Sequence, residues 1–208
     1  VTNQFSSSGR NEMQPEATTS FRSVLRNYIK AEPEKKAKYI LGNFAVFINI
    51  VDSCEHSLKR TIKAERRYNR RNSLGDVGIR VQNSHMGDPT SEEATENIML
   101  DKAFELGDLE KELKDTDCPE WHLREAEIIE DMREDYSILV DVIHTLKPTE
   151  QKLLLPYLTY EKSIRDIADE AGILYESAAV KITRIRMKVR KDAANSLANK
   201  YSIYEEEN

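Results

Sequence analysis

The chain has 208 residues, 39% of them apolar and 33% charged, with a formal net charge of -6, so it can bury a real core of one large or two small domains. The acidic balance excludes binding of nucleic acid by bulk charge, and any such binding must use a local basic patch. No apolar stretch approaches the roughly 20 residues of a membrane span, and the only cysteines, Cys54 and Cys118, stand far apart, so a reducing, cytoplasmic setting with no membrane is expected.

Residues 1–19, with Ser6, Ser7, Ser8, Gly9 and Pro15, read as a flexible tail. The N-terminal helical region spans 20–71. Thr19 or Ser20 is placed to cap a short helix carrying Phe21, Val24, Leu25, Tyr28 and Ile29, which Glu32-Pro33 interrupts. From Glu34 to about Arg71, Ala37, Ile40, Phe44, Phe47, Val51, Cys54 and Leu58 recur at alternating spacings of three and four, which predicts one long helix with a coiled-coil-like seam. Leu41, Ala45 and Ile48 widen that apolar surface, and a second copy of the chain is its candidate partner.

The end of this helix carries Lys59, Arg60, Lys63, Arg66, Arg67, Arg70 and Arg71, with Tyr68 among them. Its simplest reading is a solvated surface; the sharper one is a second phosphate contact. Residues 72–88 read as a linker. Thr90-Ser91-Glu92-Glu93 then forms a capping box and opens an acidic helical pair over 89–146. Its first helix is expected to run to about Leu113 with Ile98, Met99, Ala103, Leu106 and Leu109 inward. Asp117 caps the second, whose inward residues are Ile129, Met132, Tyr136, Leu139, Ile143 and Leu146. The acids of this pair read as a solvated face, or more sharply as a polymerase-contacting surface. Trp121 is expected in the core. Cys118 and His122, like Cys54 and His56, have a ligand-like local spacing, but nothing in the sequence joins the pairs; no metal, cofactor or catalytic constellation is expected.

Thr149 is placed to cap a short helix through Leu153, Leu154 and Leu155 ahead of Pro156. Ser163 to Lys191 then reads as a helix, a turn at Gly172-Ile173 and a second helix. Ala178, Ile182, Ile185 and Val189 form the buried stripe of that second helix, and Lys181, Arg184, Arg186, Lys188, Arg190 and Lys191 make the rest of it basic. Lys181, Arg184 and Lys188 share a face suited to phosphates. Arg186 and Arg190 point elsewhere and are expected to meet the acidic helices. In a helix-turn-helix the start of the second helix meets base edges, which makes Tyr175, Glu176, Ser177, Ala179 and Val180 the candidate readers. Glu176 suits a cytosine amino group, and Ala179 or Val180 a thymine methyl; Glu176 has the alternative role of complementing the helix dipole. Residues 201–208 form an acidic tail.

Leu146 and Pro148, the run Leu153 to Leu155 with Tyr157-Leu158, Ser163-Ile164 with Ile167-Ala168, Gly172-Ile173, and Arg184, Arg186 and Lys188 together resemble region four of the sigma-70 family, especially its extracytoplasmic-function type. The resemblance implies a DNA-reading helix-turn-helix over 147–200 and RNA polymerase as a partner. Leu174 stands where that family usually places a capping Ser or Thr, and Pro156 where it commonly has a basic residue, so the start of the reading helix and the end of the preceding one are where this chain departs from the pattern. No region two pattern accompanies the module. The order of parts and Asp88-Pro89-Thr90 look like phage and prophage late-gene regulators of the ArpU and RinA type. The expectation is therefore an all-α, non-enzymatic, sequence-specific regulator of double-stranded DNA transcription. The alternatives are a small terminase-like DNA-packaging component, expected as a ring of many subunits, and a divergent sigma factor.

Overall fold

The computed structural model describes residues 20–73 and 89–205, and among these it is all-helical. The elements are α1 (Phe21–Ile29), α2 (Pro33–Gly42), α3 (Phe47–Ser73), α4 (Pro89–Leu106), α5 (Pro119–His144), α6 (Pro148–Leu158), α7 (Ile164–Glu170) and α8 (Tyr175–Glu205). Prolines open α2, α4, α5 and α6, where the missing N–H costs nothing and the fixed φ already suits a helix.

The inner stripe of α3, from Phe47 through Val51, Cys54 and Leu58 to Ile62, is fully or nearly fully buried and lies along α5, whose Ile129, Met132, Leu139 and Ile143 are equally enclosed. The two helices run antiparallel, with His122 meeting Glu65 near one end and Arg133 reaching Asp52 and Glu55 further along. Helix α1 lies against both, and the Tyr136 ring stacks on Phe47 at 5.7 Å between centroids. Helices α2 and α5 receive the second half of α8, so that Ala193 and Leu197 join one continuous core with Leu25 and Ile40.

Several expectations are corrected. The predicted long helix is two, because the chain turns at Asn43 to Val46. Asn43 turns its own side chain back onto the Tyr39 carbonyl at 2.8 Å and ends α2, while Phe44 and Phe47 keep the apolar rhythm across the break and both meet Tyr136. Leu41, read as a surface for a second copy, is covered by this chain, whereas Ala45 and Ile48 are exposed. The acidic pair is not a hairpin of its own: α5 packs on α3, and α4 is tied to α3 through Arg70–Glu96 at 3.0 Å and Lys59–Asp101 at 3.1 Å. Helix α4 stops at Leu106 because Gly107 takes φ +71° and lets Asp108 N–H close on the Ala103 carbonyl at 3.1 Å. Leu100 and Ala103 face inward there, while Ile98, Met99 and Leu106 are exposed.

Asp117 does not cap α5; Cys118 holds that position, and the Asp117 carboxylate accepts from Asn69 at 2.9 Å. Trp121 is half exposed, donating to Glu125 at 2.9 Å under the Arg26 guanidinium. Lys147, not Thr149, precedes α6, with the Glu150 carboxylate accepting from its backbone N–H at 3.1 Å. Pro156 neither ends nor shortens α6, which continues to Leu158. The 1–19 tail, nearly all of the 72–88 linker and residues 206–208 lie outside the described residues, as do the side chains of the Thr90–Glu93 capping box. No helix among the described residues is long and apolar enough to cross a membrane.

Candidate nucleic-acid interface

Helix α7 is fixed at both ends. Ser163 caps it: its Oγ accepts from the Asp166 N–H at 3.3 Å, and the Asp166 carboxylate accepts from the Ser163 backbone N–H at 2.9 Å. Those bonds from Ser163 hold the Asp166 carboxyl below its ordinary range. At the other end Gly172 takes φ +62°, and the Ile173 and Gly172 amides bond back to the Ala168 and Asp169 carbonyls at 3.0 and 3.2 Å. This closing pattern needs a left-handed residue, which glycine adopts without strain. The chain then turns directly into α8 at Tyr175, and Leu174, with no side chain able to cap, leaves the first-turn amides of α8 without side-chain partners of its own.

The stripe read from sequence is the buried one: Ala178, Ile182, Ile185 and Val189 are at most 6% exposed on a helix packed against α6 and α7, and the last three share one core with Ile167, Leu154 and Leu158. Everything this stripe does not cover divides by helical angle. Ser177, Lys181, Arg184, Lys188 and Lys191 recur at spacings of four, three, four and three and are all exposed, which places them on one outward face. Among the described residues, Lys181, Arg184 and Lys191 make no ion pair or hydrogen bond. Lys188 reaches Glu150 at 3.5 Å with half its side chain exposed, an ion pair of the kind worth little in water and readily exchanged for a phosphate.

Ala179, Arg186 and Arg190, spaced by seven and four, occupy a different side and are all partly covered. The Arg186 guanidinium lies 5.5 Å from the Tyr157 ring centroid, and its Nη1 donates to the Tyr157 hydroxyl at 3.4 Å. Arg190 pairs with Glu34 on α2. Their partners are therefore α6 and α2, not the acidic helices, and both arginines leave the set of phosphate candidates, as Ala179 leaves the set of base readers.

At the start of α8, Leu174, Tyr175 and Val180 are 74%, 49% and 48% exposed, and Glu176 and Ser177 are exposed beside them. Met187, at 66%, stands seven residues past Val180 and so on the same side of the helix. Leu174 and Met187 were not among the base-reading residues expected from sequence, where Leu174 figured only as a missing cap; the signal for both was an apolar side chain standing off the buried stripe.

The second half of α8 is anchored. Asp135 of α5 is fully buried and accepts from the Tyr28 hydroxyl at 2.9 Å and from Lys200 Nζ at 3.1 Å, with Lys36 Nζ at 3.8 Å. Lys200 also meets Glu134 at 2.8 Å and Asp131 at 3.0 Å. Burial works to lower the Lys200 pKa, but these three carboxylates outweigh it and raise it. For Lys36 burial wins and the pKa falls below the ordinary lysine value despite Asp135.

The second basic segment separates in the same way. Lys59 bonds Glu55 at 2.8 Å and Asp101 at 3.1 Å, buried Arg66 bonds the Glu112 backbone and carboxylate, and Arg70 grips Glu96. These three face inward and hold α4 and the 107–118 segment onto α3. Arg60, Arg67 and Arg71 are exposed and Lys63 half-exposed. His122, which the ligand-like spacing paired with Cys118, instead sits between two carboxylates, Glu65 at 2.8 Å and Glu125 at 3.5 Å. Comparison with protein-family models, with curated proteins and with solved structures found no match for this chain.

Proposed function

We propose that this chain is a sequence-specific DNA-binding transcription regulator, in which α7 and the start of α8 form the reading element and RNA polymerase is the protein partner. The observation that carries this reading is the outward face of α8. An exposed row of Ser177, Lys181, Arg184, Lys188 and Lys191 runs beside the exposed Val180 and Met187, with Leu174 exposed at the entry to the helix, on a helix packed against α7. Exposed cations suit phosphates, and exposed apolar side chains at the helix start suit thymine methyl groups in a major groove. Glu176 and Ser177 add hydrogen-bonding capacity at the same place. The resemblance of Leu146 to Lys191 to sigma region four supports the polymerase partner and the phage or prophage setting.

The test is a footprint of the purified protein across DNA flanking its own gene, followed by titration of the protected segment. Sequence-specific duplex binding is expected to weaken steeply with salt. Arg184→Ala is expected to lower the log-log salt slope by about 0.9, the value of one phosphate contact. No protected segment, or an unchanged slope in Arg184→Ala, would remove the reading.

A further inference from the structure

We propose that the outward face of the C-terminal half of α3 is a second contact surface for the backbone of duplex DNA, separate from α8 and not dependent on the reading proposed for it. Arg60, Lys63, Arg67 and Arg71 are spaced by three, four and four residues, which puts them in one row along a helix. That row lies opposite the buried stripe of Val51, Cys54, Leu58 and Ile62, and so on the side of α3 turned away from the core. The inward bases Lys59, Arg66 and Arg70 have taken the carboxylates of Glu55, Asp101, Glu112 and Glu96. Glu65, the only acid from His56 to Ser73, is turned to His122. Among the described residues Lys63 and Arg71 consequently make no ion pair or hydrogen bond, and Arg60 makes only a local bond from Nε to the His56 carbonyl at 3.2 Å, whereas Arg67 is not without a partner.

A merely solvated helix face mixes signs, because like charges four residues apart cost a few tenths of a kcal/mol each. This face keeps Lys63–Arg67 and Arg67–Arg71 at that spacing in a chain of net charge -6. From first to last the row is about 16 Å long, from a rise of 1.5 Å per residue, or about five base steps of a duplex strand. Single-stranded nucleic acid calls for several exposed aromatic rings between the cations, and this segment offers Tyr68 alone. Duplex phosphates are the better fit. The row flanks the start of α5, where Glu65 meets His122, whereas α6 to α8 begin beyond its other end.

The experiment measures fluorescence anisotropy of the full chain with a random-sequence duplex of about 40 base pairs, long enough to span more than one turn, over a salt series. A variant with Arg60→Ala, Lys63→Ala and Arg71→Ala is expected to lower the log-log slope by as much as about 2.7, at about 0.9 per contact. Because all three side chains lie off the core, its unfolding midpoint should match the parent, and single Lys63→Gln and Arg71→Gln variants should each give a proportionate part of the slope change. An unchanged slope in all of these, or tighter binding to a single strand of the same length than to the duplex, overturns the proposal. A variant with Lys181→Ala and Arg184→Ala is run in parallel. If it binds like the parent while the α3 variant does not, the reading of α8 falls and this one stands; the opposite pattern does the reverse.

Discussion

Helices α3 and α8 each carry a basic run that looks uniform along the sequence, and each uses its run for two unrelated purposes. In α3 the inward bases are structural, since Lys59, Arg66 and Arg70 fasten α4 and the following segment. In α8 the sideways bases Arg186 and Arg190 fasten α6 and α2, and further along Lys200 closes the Asp135 cluster. The remaining bases form an outward row in both helices. Linear charge density therefore says little about binding; the angle around the helix, set by where the apolar stripe points, decides which cations are available.

The strongest way to break this division is to strike the anchor of α8. Asp135→Ala leaves Lys36 and Lys200 facing a buried void, and a loss of roughly 3–5 kcal/mol in urea unfolding is expected, the usual cost of removing one partner from a buried ion pair. A loss below about 1 kcal/mol, within the range of exposed pairs, would mean that the cluster does not hold α8. Next comes the contrast inside α3. Arg66→Ala abandons the buried Glu112 contacts and should cost about 2–3 kcal/mol, whereas Arg71→Ala, on the outward row, should stay within about 0.5 kcal/mol. Equal effects would erase the distinction between the two faces.

At the turn between α7 and α8, Gly172→Ala forces a side chain into φ +62° and should cost about 1 kcal/mol. No atom stands within 4 Å of the added carbon, so Gly172→Asn, whose residue type tolerates the left-handed region, should recover part of the loss in the same thermal melts.

The smallest effect concerns the α3–α5 seam. The Glu125 carboxylate has the largest influence on His122 and raises its pKa; burial opposes this and Glu65 assists. A raised folded value means that the protonated imidazole stabilises the fold fully below the ordinary histidine value of 6.5 and that this contribution is lost as pH rises through the folded value. Glu125 itself feels burial first, which would raise its pKa, but its bonds to His122, Trp121 and Arg22 bring it below the ordinary value, so its share is lost instead as pH falls through that depressed value. Denaturant midpoints measured upward from pH 6 should decline in the parent and stay flatter in His122→Phe; parallel curves would show that the imidazole does not titrate against these carboxylates.

What the sequence disclosed was periodicity, and it disclosed it well where one face of a helix meets one core. Ala178, Ile182, Ile185 and Val189, and likewise Met132, Leu139 and Ile143, are buried as their spacing required. Periodicity was blind to the turn at Asn43 because Phe44 and Phe47 keep the rhythm of three and four across it; the Gly42-Asn43 pair was the local signal. It also misplaced α4, whose partner is chosen by Glu96 and Asp101 meeting Arg70 and Lys59, a long-range match that no local pattern carries. The outward row of α8 was legible as Lys181, Arg184 and Lys188. Lys188 turned out to have a weak partner in Glu150, and the exposed apolar side chains of Leu174 and Met187 went unread as contact residues because exposure is a tertiary property.

Helix α8 runs unbroken for 31 residues, from its exposed tip to the Lys200 anchor, and this makes it a lever. The arm from Tyr175 to Lys200 is about 37 Å at 1.5 Å per residue, so a tilt of about 5° at the anchored end would carry the tip through about 3 Å, nearly the 3.4 Å between successive base pairs. A rearrangement of α1 or α2 around Tyr28 and Lys36 that tilted α8 would thereby be geared up at its N-terminal end.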